Sequence, residues 1–298
     1  MNFIDAHVQG VSFFALLSLS LIWGVANFNI ASISSKYTAF LTTSFLYVSM
    51  LTLVSVLLLF QSEYGTTRNN LLLFLVGGVS STGYLFMVYG MSKGTISVVA
   101  PLAGLFALIV PAVGGIFAGD HVQALEWFGV LAAITAVVCI SWKPNTTEEF
   151  HHIKERKLSI FCGVMSGILG GFYSLSLAKI DSPAISKAFF FYLTAAIAGL
   201  SYIIYKRKSI SSILDNRIKL KKLLLIILFF SLFYISANLI FSWGSKYVPV
   251  VIASVLGSLY PAVTVILAWI IRKEKIFRIQ QIGFVAGALA VVLIALGK

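Results

Sequence analysis

The chain has 298 residues, 59% of them hydrophobic and only 11% charged, with a mean hydropathy of +0.97. A soluble domain would carry about 25% charged residues, so a water-solvated fold is excluded and lipid is the solvent. The net charge of +12 comes from basic residues placed mostly between apolar segments, which points to membrane orientation and away from nucleic acid.

A spanning helix needs about 20 mostly apolar residues, and ten segments qualify in chain order. Span 1 (11–33) carries Trp23, Asn27 and Asn29. The residues before it include Asp5 and His7 but no Lys or Arg, so a cleavable signal peptide is not expected. Span 2 (39–60) follows, and span 3 (70–92) carries Ser80, Ser81, Tyr84 and Tyr89. Span 4 (95–118) contains Pro101 and Pro111, either of which can bend it. Span 5 (124–142) follows Asp120. The stretch KPNTTEEFHHIKERK (143–157) is polar and mixed in charge, a natural boundary. Span 6 (158–179) carries Tyr173, Ser174 and the small-residue steps Gly163, Gly167 and Gly171, which permit close helix approach. Span 7 (183–205) opens near Lys187, expected to snorkel to the interface. A basic run (206–222) follows, suited to orientation or to anionic lipid. Span 8 (222–245) carries Tyr234, Asn238 and Trp243, span 9 (248–271) carries Ser254, Tyr260 and Pro261, and span 10 (276–297) completes the set.

The two halves repeat each other. At an offset of 154 residues Tyr89-Gly90 aligns with Trp243-Gly244, Leu105-Phe106 with Leu259-Tyr260, Asp120 with Glu274, Gly129 with Gly283, and Ala136-Val137-Val138 with Ala290-Val291-Val292. Spans 1 and 6 match less closely. Setting Gly24 on Gly170 places Asn27 opposite Tyr173. Five spans per half is odd, so the second half enters the bilayer from the opposite side. The expected architecture is an all-α integral membrane protein of ten transmembrane helices, built as two inverted five-helix repeats: residues 1–145, a polar linker at 146–157, and residues 158–298.

Orientation follows from Lys and Arg. The odd-numbered loops hold seventeen (Lys36, Lys93, Lys143, Lys154, Arg156, Lys157, Lys206, Arg207, Lys208, Arg217, Lys219, Lys221, Lys222, Arg272, Lys273, Lys275 and Arg278), and the other side holds Arg68, Lys179, Lys246 and Lys298. The positive-inside rule places the odd-numbered loops in the cytoplasm and both termini outside, in a multi-pass protein of the plasma (inner) membrane.

No Asp, Glu, Lys, Arg or His falls near the centre of a span. A central carboxylate of the kind used in proton relays is therefore not expected. Asp120 and Glu274 precede spans 5 and 10, where an acid complements or caps a helix N-terminus. His7, His121, His151 and His152 lie outside the spans, so no nucleophile–His–acid set is visible and an enzyme is not expected, though a polytopic membrane enzyme is the rival from another class. Cys139 and Cys162 show neither disulfide nor metal spacing, and no metal or cofactor is expected. Membrane carriers built of two related halves keep their site between them. The polar and aromatic residues within spans are thus the candidates. Asn27 and Asn238 need partners in hydrocarbon, either substrate or a neighbouring helix. Trp23 shares a helix face with Asn27, and Tyr84 pairs with Asn238, as Ser80 does with Tyr234, under the 154-residue offset.

Ile22-Trp23-Gly24 and the two tails GDHVQALEWFGVLAAITAVVCI (119–140) and KEKIFRIQQIGFVAGALAVVLIAL (273–296) give the chain a resemblance to the drug/metabolite transporter superfamily, in its ten-helix EamA-type branch. The second tail departs from the pattern in carrying Lys273-Glu274. The resemblance implies a carrier that exports or exchanges a small polar metabolite, often an amino acid or related compound. It implies a cavity between the halves and, on this chain, substrate-binding residues Trp23, Asn27, Ser81, Tyr84, Tyr173 and Asn238. An aromatic cage for a choline-like quaternary amine is the alternative cargo site. The expected partners are a small-molecule substrate and membrane lipid, and monomer and homodimer both remain open.

Overall fold

The computed structural model describes residues 3–94, 96–142, 153–208, 217–273 and 276–297, and among these all regular structure is helical. The helices are α1 (Phe3–Lys36), α2 (Ala39–Leu58), α3 (Thr67–Lys93), α4 (Ile96–Phe117), α5 (Ala124–Ser141), α6 (Ile153–Lys179), α7 (Ala184–Tyr205), α8 (Arg217–Gly244), α9 (Val250–Ser258), α10 (Tyr260–Arg272) and α11 (Arg278–Leu296). Local chemistry sets several boundaries. Thr38 and Thr66 sit in extended conformation and accept from Leu41 N and Asn69 N, capping α2 and α3. Pro183 and Pro249 immediately precede α7 and α9, where a missing N–H costs nothing.

Nine of the described segments are long and apolar enough to cross a membrane, with Val250–Ile271 counted as one, and Ala124–Ile140 is a shorter apolar helix. Ten spans were expected; length and composition support nine, and α5 is the short one. Large apolar side chains such as Phe14, Leu75, Phe128, Leu225 and Val285 are exposed on the outer surface, an arrangement suited to lipid and costly in water. The linker residues 143–152, Glu274 and residues 209–216 of the basic run lie outside the described residues. Helix α6 starts at Ile153, inside the expected linker, so the residues up to 157 are already its first turns.

The fifth helix of each half pairs with the other. A Cβ built at Gly129 would lie 2.5 Å from Ile294 Cγ1 and 3.1 Å from Ala290 O, and one at Gly283 would lie 2.7 Å from Ile140 Cγ1 and 2.9 Å from Ala136 O. Helices α5 and α11 are therefore antiparallel, and each contact is the 154-residue image of the other. The same exchange holds elsewhere. Helix α6 packs along α3 and α4, while α1 packs along α8 and along α9 and α10.

The register between α1 and α6 differs from the sequence alignment by one residue. Gly24 approaches Tyr260 O, Gly171 approaches Phe106 O, and these two carbonyls are 154 apart. Ser20 donates to Gly257 O over 3.4 Å, and Gly167 approaches Ala103 O, again 154 apart. The counterpart of Gly24 is thus Gly171, not Gly170. Asn27 falls opposite Ser174, and Trp23 opposite Gly170.

The one interrupted span is the ninth predicted one, broken at Leu259 with Pro261 at the start of α10. Proline at 261 has no N–H to offer Gly257 O. The Ser20 hydroxyl, donating to Leu256 O and to Gly257 O, supplies part of what the break removes. The equivalent α4 stays continuous through Pro101 and Pro111.

Two charged side chains sit elsewhere than expected. Asp120 does not cap α5, whose N-cap position is Gln123, with Glu126 accepting from Gln123 N (2.8 Å). Its Oδ2 instead accepts from Val250 N (2.7 Å) at the start of α9, in the other half, while Oδ1 accepts from Lys179 Nζ at the end of α6. Lys187 does not snorkel outward. It is buried and donates to Leu177 O near the C-terminal end of α6, where a cation meets unpaired carbonyls. Substituting Asp120 by Ala removes a helix cap and an ion pair that is open to water on the Lys179 side. It is expected to cost about 1–2 kcal/mol, read as a lower melting temperature in detergent. An unchanged melting temperature would show that this cross-half tie is not formed.

Candidate functional site

The three buried apolar clusters meet at Trp23, which packs against each of them. Beside it, near mid-length of the helices, lies a cavity of about 140 Å³, room for roughly five waters at about 30 Å³ each and hence for a small metabolite. Both halves line it. Helix α1 supplies Trp23 and Asn27, α2 supplies Leu46 and Tyr47, and α3 supplies Ser80 and Tyr84. From the second half come Ser166, Gly170, Tyr173 and Ser174 of α6, Phe191 and Tyr192 of α7, Tyr234 and Asn238 of α8, and Tyr260 of α10. No Asp, Glu, Lys, Arg or His is among the lining residues.

Five of the six candidates named from the sequence, Trp23, Asn27, Tyr84, Tyr173 and Asn238, are brought together here. Ser81 is not among the lining residues. Its hydroxyl donates to Gly78 O (3.0 Å) and its carbonyl accepts from the Tyr47 hydroxyl (3.4 Å), while the adjacent Ser80 faces the cavity. One residue along a helix turns a side chain by 100°, and no polarity difference between two serines indicates which one faces inward.

A hydrogen-bonded relay holds the first-half side of the cavity. The Tyr84 hydroxyl donates to the Tyr234 hydroxyl (2.7 Å), which donates to Asn27 Oδ1. The Tyr84 and Tyr234 rings meet edge to face, with centroids 5.4 Å apart. Across the cavity Asn238 Nδ2 donates to the Tyr192 hydroxyl. The expected direct pairs, Tyr84 with Asn238 and Ser80 with Tyr234, share the cavity but are not the bonds made. Tyrosine reaches farther than asparagine or serine, so the contact forms between Tyr84 and Tyr234.

These bonds orient both amides. With Oδ1 of Asn27 accepting and Nδ2 of Asn238 donating, the Asn27 amino group and the Asn238 carbonyl have no protein partner among the described residues. The Tyr173 hydroxyl lies near that of Tyr192 without completing a hydrogen bond of ordinary geometry. The chamber thus combines an amide donor of Asn27 and an amide acceptor of Asn238, neither partnered among the described residues, with tyrosine side chains and no charged lining residue.

Tyr47 and Tyr192 were not among the residues singled out from the sequence, although both lie in predicted spans. A signal was present. Phe45-Leu46-Tyr47-Val48-Ser49 matches Phe190-Phe191-Tyr192-Leu193-Thr194 at an offset of 145, and both Leu46 with Phe191 and Tyr47 with Tyr192 line the cavity.

A multi-pass helical bundle with a central chamber lined from both halves of the chain has the form of a membrane carrier. Residues 157–296 match the EamA-like transporter family. This match agrees with the resemblance to the drug/metabolite transporter superfamily read from the sequence. Members of the family are membrane transporters. A solved crystal structure of a protein is similar over 96% of this chain and 97% of that one, with a TM-score of 0.66 and 13% identity, which shows a common fold. No curated protein matches the chain.

Proposed function

We propose that the protein carries an amino acid or related small zwitterion across the plasma membrane by alternating access. The observation that carries this reading is the neutral cavity with its two free amide groups. The Asn27 amino group suits a carboxylate and the Asn238 carbonyl suits an ammonium group, while the absence of fixed charge balances a cargo of zero net charge. A neutral site pairs both charges of a zwitterion without burying one of its own, which would be costly in hydrocarbon.

The reciprocal contacts of α5 with α11, and their antiparallel course, support ten crossings in two inverted five-helix repeats, residues 1–145 and 158–298, with α5 spanning despite its length. The two halves can then exchange conformations around the cavity, and the break at Leu259 gives the second half a flexible point beside it. The charge count places the odd-numbered loops in the cytoplasm and both termini outside. A reporter enzyme fused after Lys298 is expected to be active only in the periplasm or exterior; cytoplasmic activity would reverse the topology. Export or exchange is the mode that the family implies.

A choline-like quaternary amine is the second reading, favoured by Trp23, Tyr47, Tyr84, Tyr173, Tyr192 and Tyr234 around a chamber without a carboxylate. A thermal-shift panel of purified protein against amino acids, choline and sugars separates the readings. Stabilisation by amino acids, followed by counterflow of the best ligand in proteoliposomes, is the expected result. Stabilisation by choline alone would move the assignment to the amine, and stabilisation by sugars alone would remove both.

A further inference from the structure

We infer that Gly170 forms an open subsite of the cavity that receives the apolar side group of the cargo and limits its size. This rests on the carrier reading above, and it adds which part of the molecule goes where.

The glycines of α6 are not alike. A Cβ at Gly163 would lie 2.8 Å from Leu102 Cβ, one at Gly167 would lie 2.6 Å from Ala103 O, and one at Gly171 would lie 2.6 Å from Val110 Cβ. These three are small because α4 presses on them. A Cβ at Gly170 would meet nothing within 4 Å, although Gly170 is on the cavity wall. Helix packing gives no reason for glycine there.

The correspondence between the halves supplies a reason. The counterpart of Gly170 on α1 is Trp23, by the register that Gly24 and Gly171 define. The indole of Trp23 lies over Gly257, where a Cβ would come within 2.8 Å of its Cζ3. The counterpart of Gly257 is Ala103, which lines the cavity beside α6. One half thus fills this position with the largest side chain in the code, and the other leaves it empty. Ala103, Ala107, Tyr173 and Phe191 line the same cavity as Gly170. Tyr173 and Phe191 have ring centroids 4.0 Å apart, a surface suited to an aliphatic or aromatic group. The amides of Asn27 and Asn238 are then free to hold the polar end.

The test compares uptake of radiolabelled alanine, leucine and phenylalanine into proteoliposomes for wild type, Gly170→Ala and Gly170→Leu. The ratio of phenylalanine to alanine uptake is expected to fall at least tenfold in Gly170→Leu and by less in Gly170→Ala. A ratio within twofold of wild type in both variants would overturn the subsite. A second measurement does not depend on the cargo. Gly170→Cys, in protein with Cys139 and Cys162 replaced by Ala, is expected to react with N-ethylmaleimide while folded. Reaction only after denaturation would also overturn the subsite. Labelling of the folded protein, with none of the three amino acids transported by wild type, would support the open subsite and overturn the amino-acid reading.

Discussion

Replacing Asn238 by Leu is expected to reduce transport about 5- to 150-fold while the protein still inserts and folds. Asn238 is buried in α8 and lines the cavity, and it donates to the Tyr192 hydroxyl, with its carbonyl oxygen unpartnered among the described residues. Leucine has nearly the same shape but neither group. The Tyr192 hydroxyl, itself buried, then loses its donor, and an unsatisfied buried polar group costs about 1–3 kcal/mol. A cargo ammonium loses its acceptor at the same time. At about 1.4 kcal/mol per factor of ten, that range gives the stated fold-change. Counterflow in proteoliposomes with the best ligand of the thermal-shift panel measures it, with membrane yield and melting temperature as controls. Unchanged rates would remove Asn238 from the site. Tyr192→Phe separates the two contributions: it deletes the hydroxyl and leaves the Asn238 carbonyl in place, so a smaller loss is expected from it than from Asn238→Leu.

Gly283→Leu is expected to have the largest effect on stability. The Cβ alone would lie 2.9 Å from both Ala136 O and Ile140 N. These are backbone atoms inside α5, which cannot turn aside as a side-chain tip would. Helices α5 and α11 must separate along their length, and overpacking of this kind costs about 1–3 kcal/mol, occasionally more. Gly129→Leu strikes the image of the same contact, against Ala290 O and Ile294, so a similar loss is expected. The double variant should lose less than the two together, because the first separation already makes room for the second. Melting curves in detergent report all three. A Gly283→Leu protein as stable as wild type would mean that the two helices do not cross so closely. Residues of α5 and α11 are absent from the cavity wall, so the folded fraction should retain its cargo preference.

The lining of the cavity was partly legible before the fold. Trp23, Asn27, Tyr84, Tyr173 and Asn238 stood out because polar and aromatic groups in apolar spans need partners, and the repeat indicated that they would be found between the halves. Ser81 and the Gly24–Gly170 alignment were each displaced by one residue. In a segment apolar all round, sequence periodicity does not separate the face that meets another helix from the face that meets lipid, because both environments are hydrocarbon. The partner of Asp120 was out of reach for a different reason. Its position suggested a helix N-terminus, and the nearest in sequence was α5, yet the bond is made to α9, 130 residues away.

Composition alone determined the solvent, the helical class and the absence of charge from the middle of the spans, since each follows from the cost of exposing polar groups to lipid. The internal offset pointed to two related halves. Only the tertiary structure decided the register of α1 against α6, the break at Leu259, the bonds that orient the two asparagines and the contrast between Trp23 and Gly170. Each of those depends on distances between helices from different halves. A spacing of residues along one chain specifies which side chains share a helix face, and leaves undetermined how far that face slides or rotates against its neighbour.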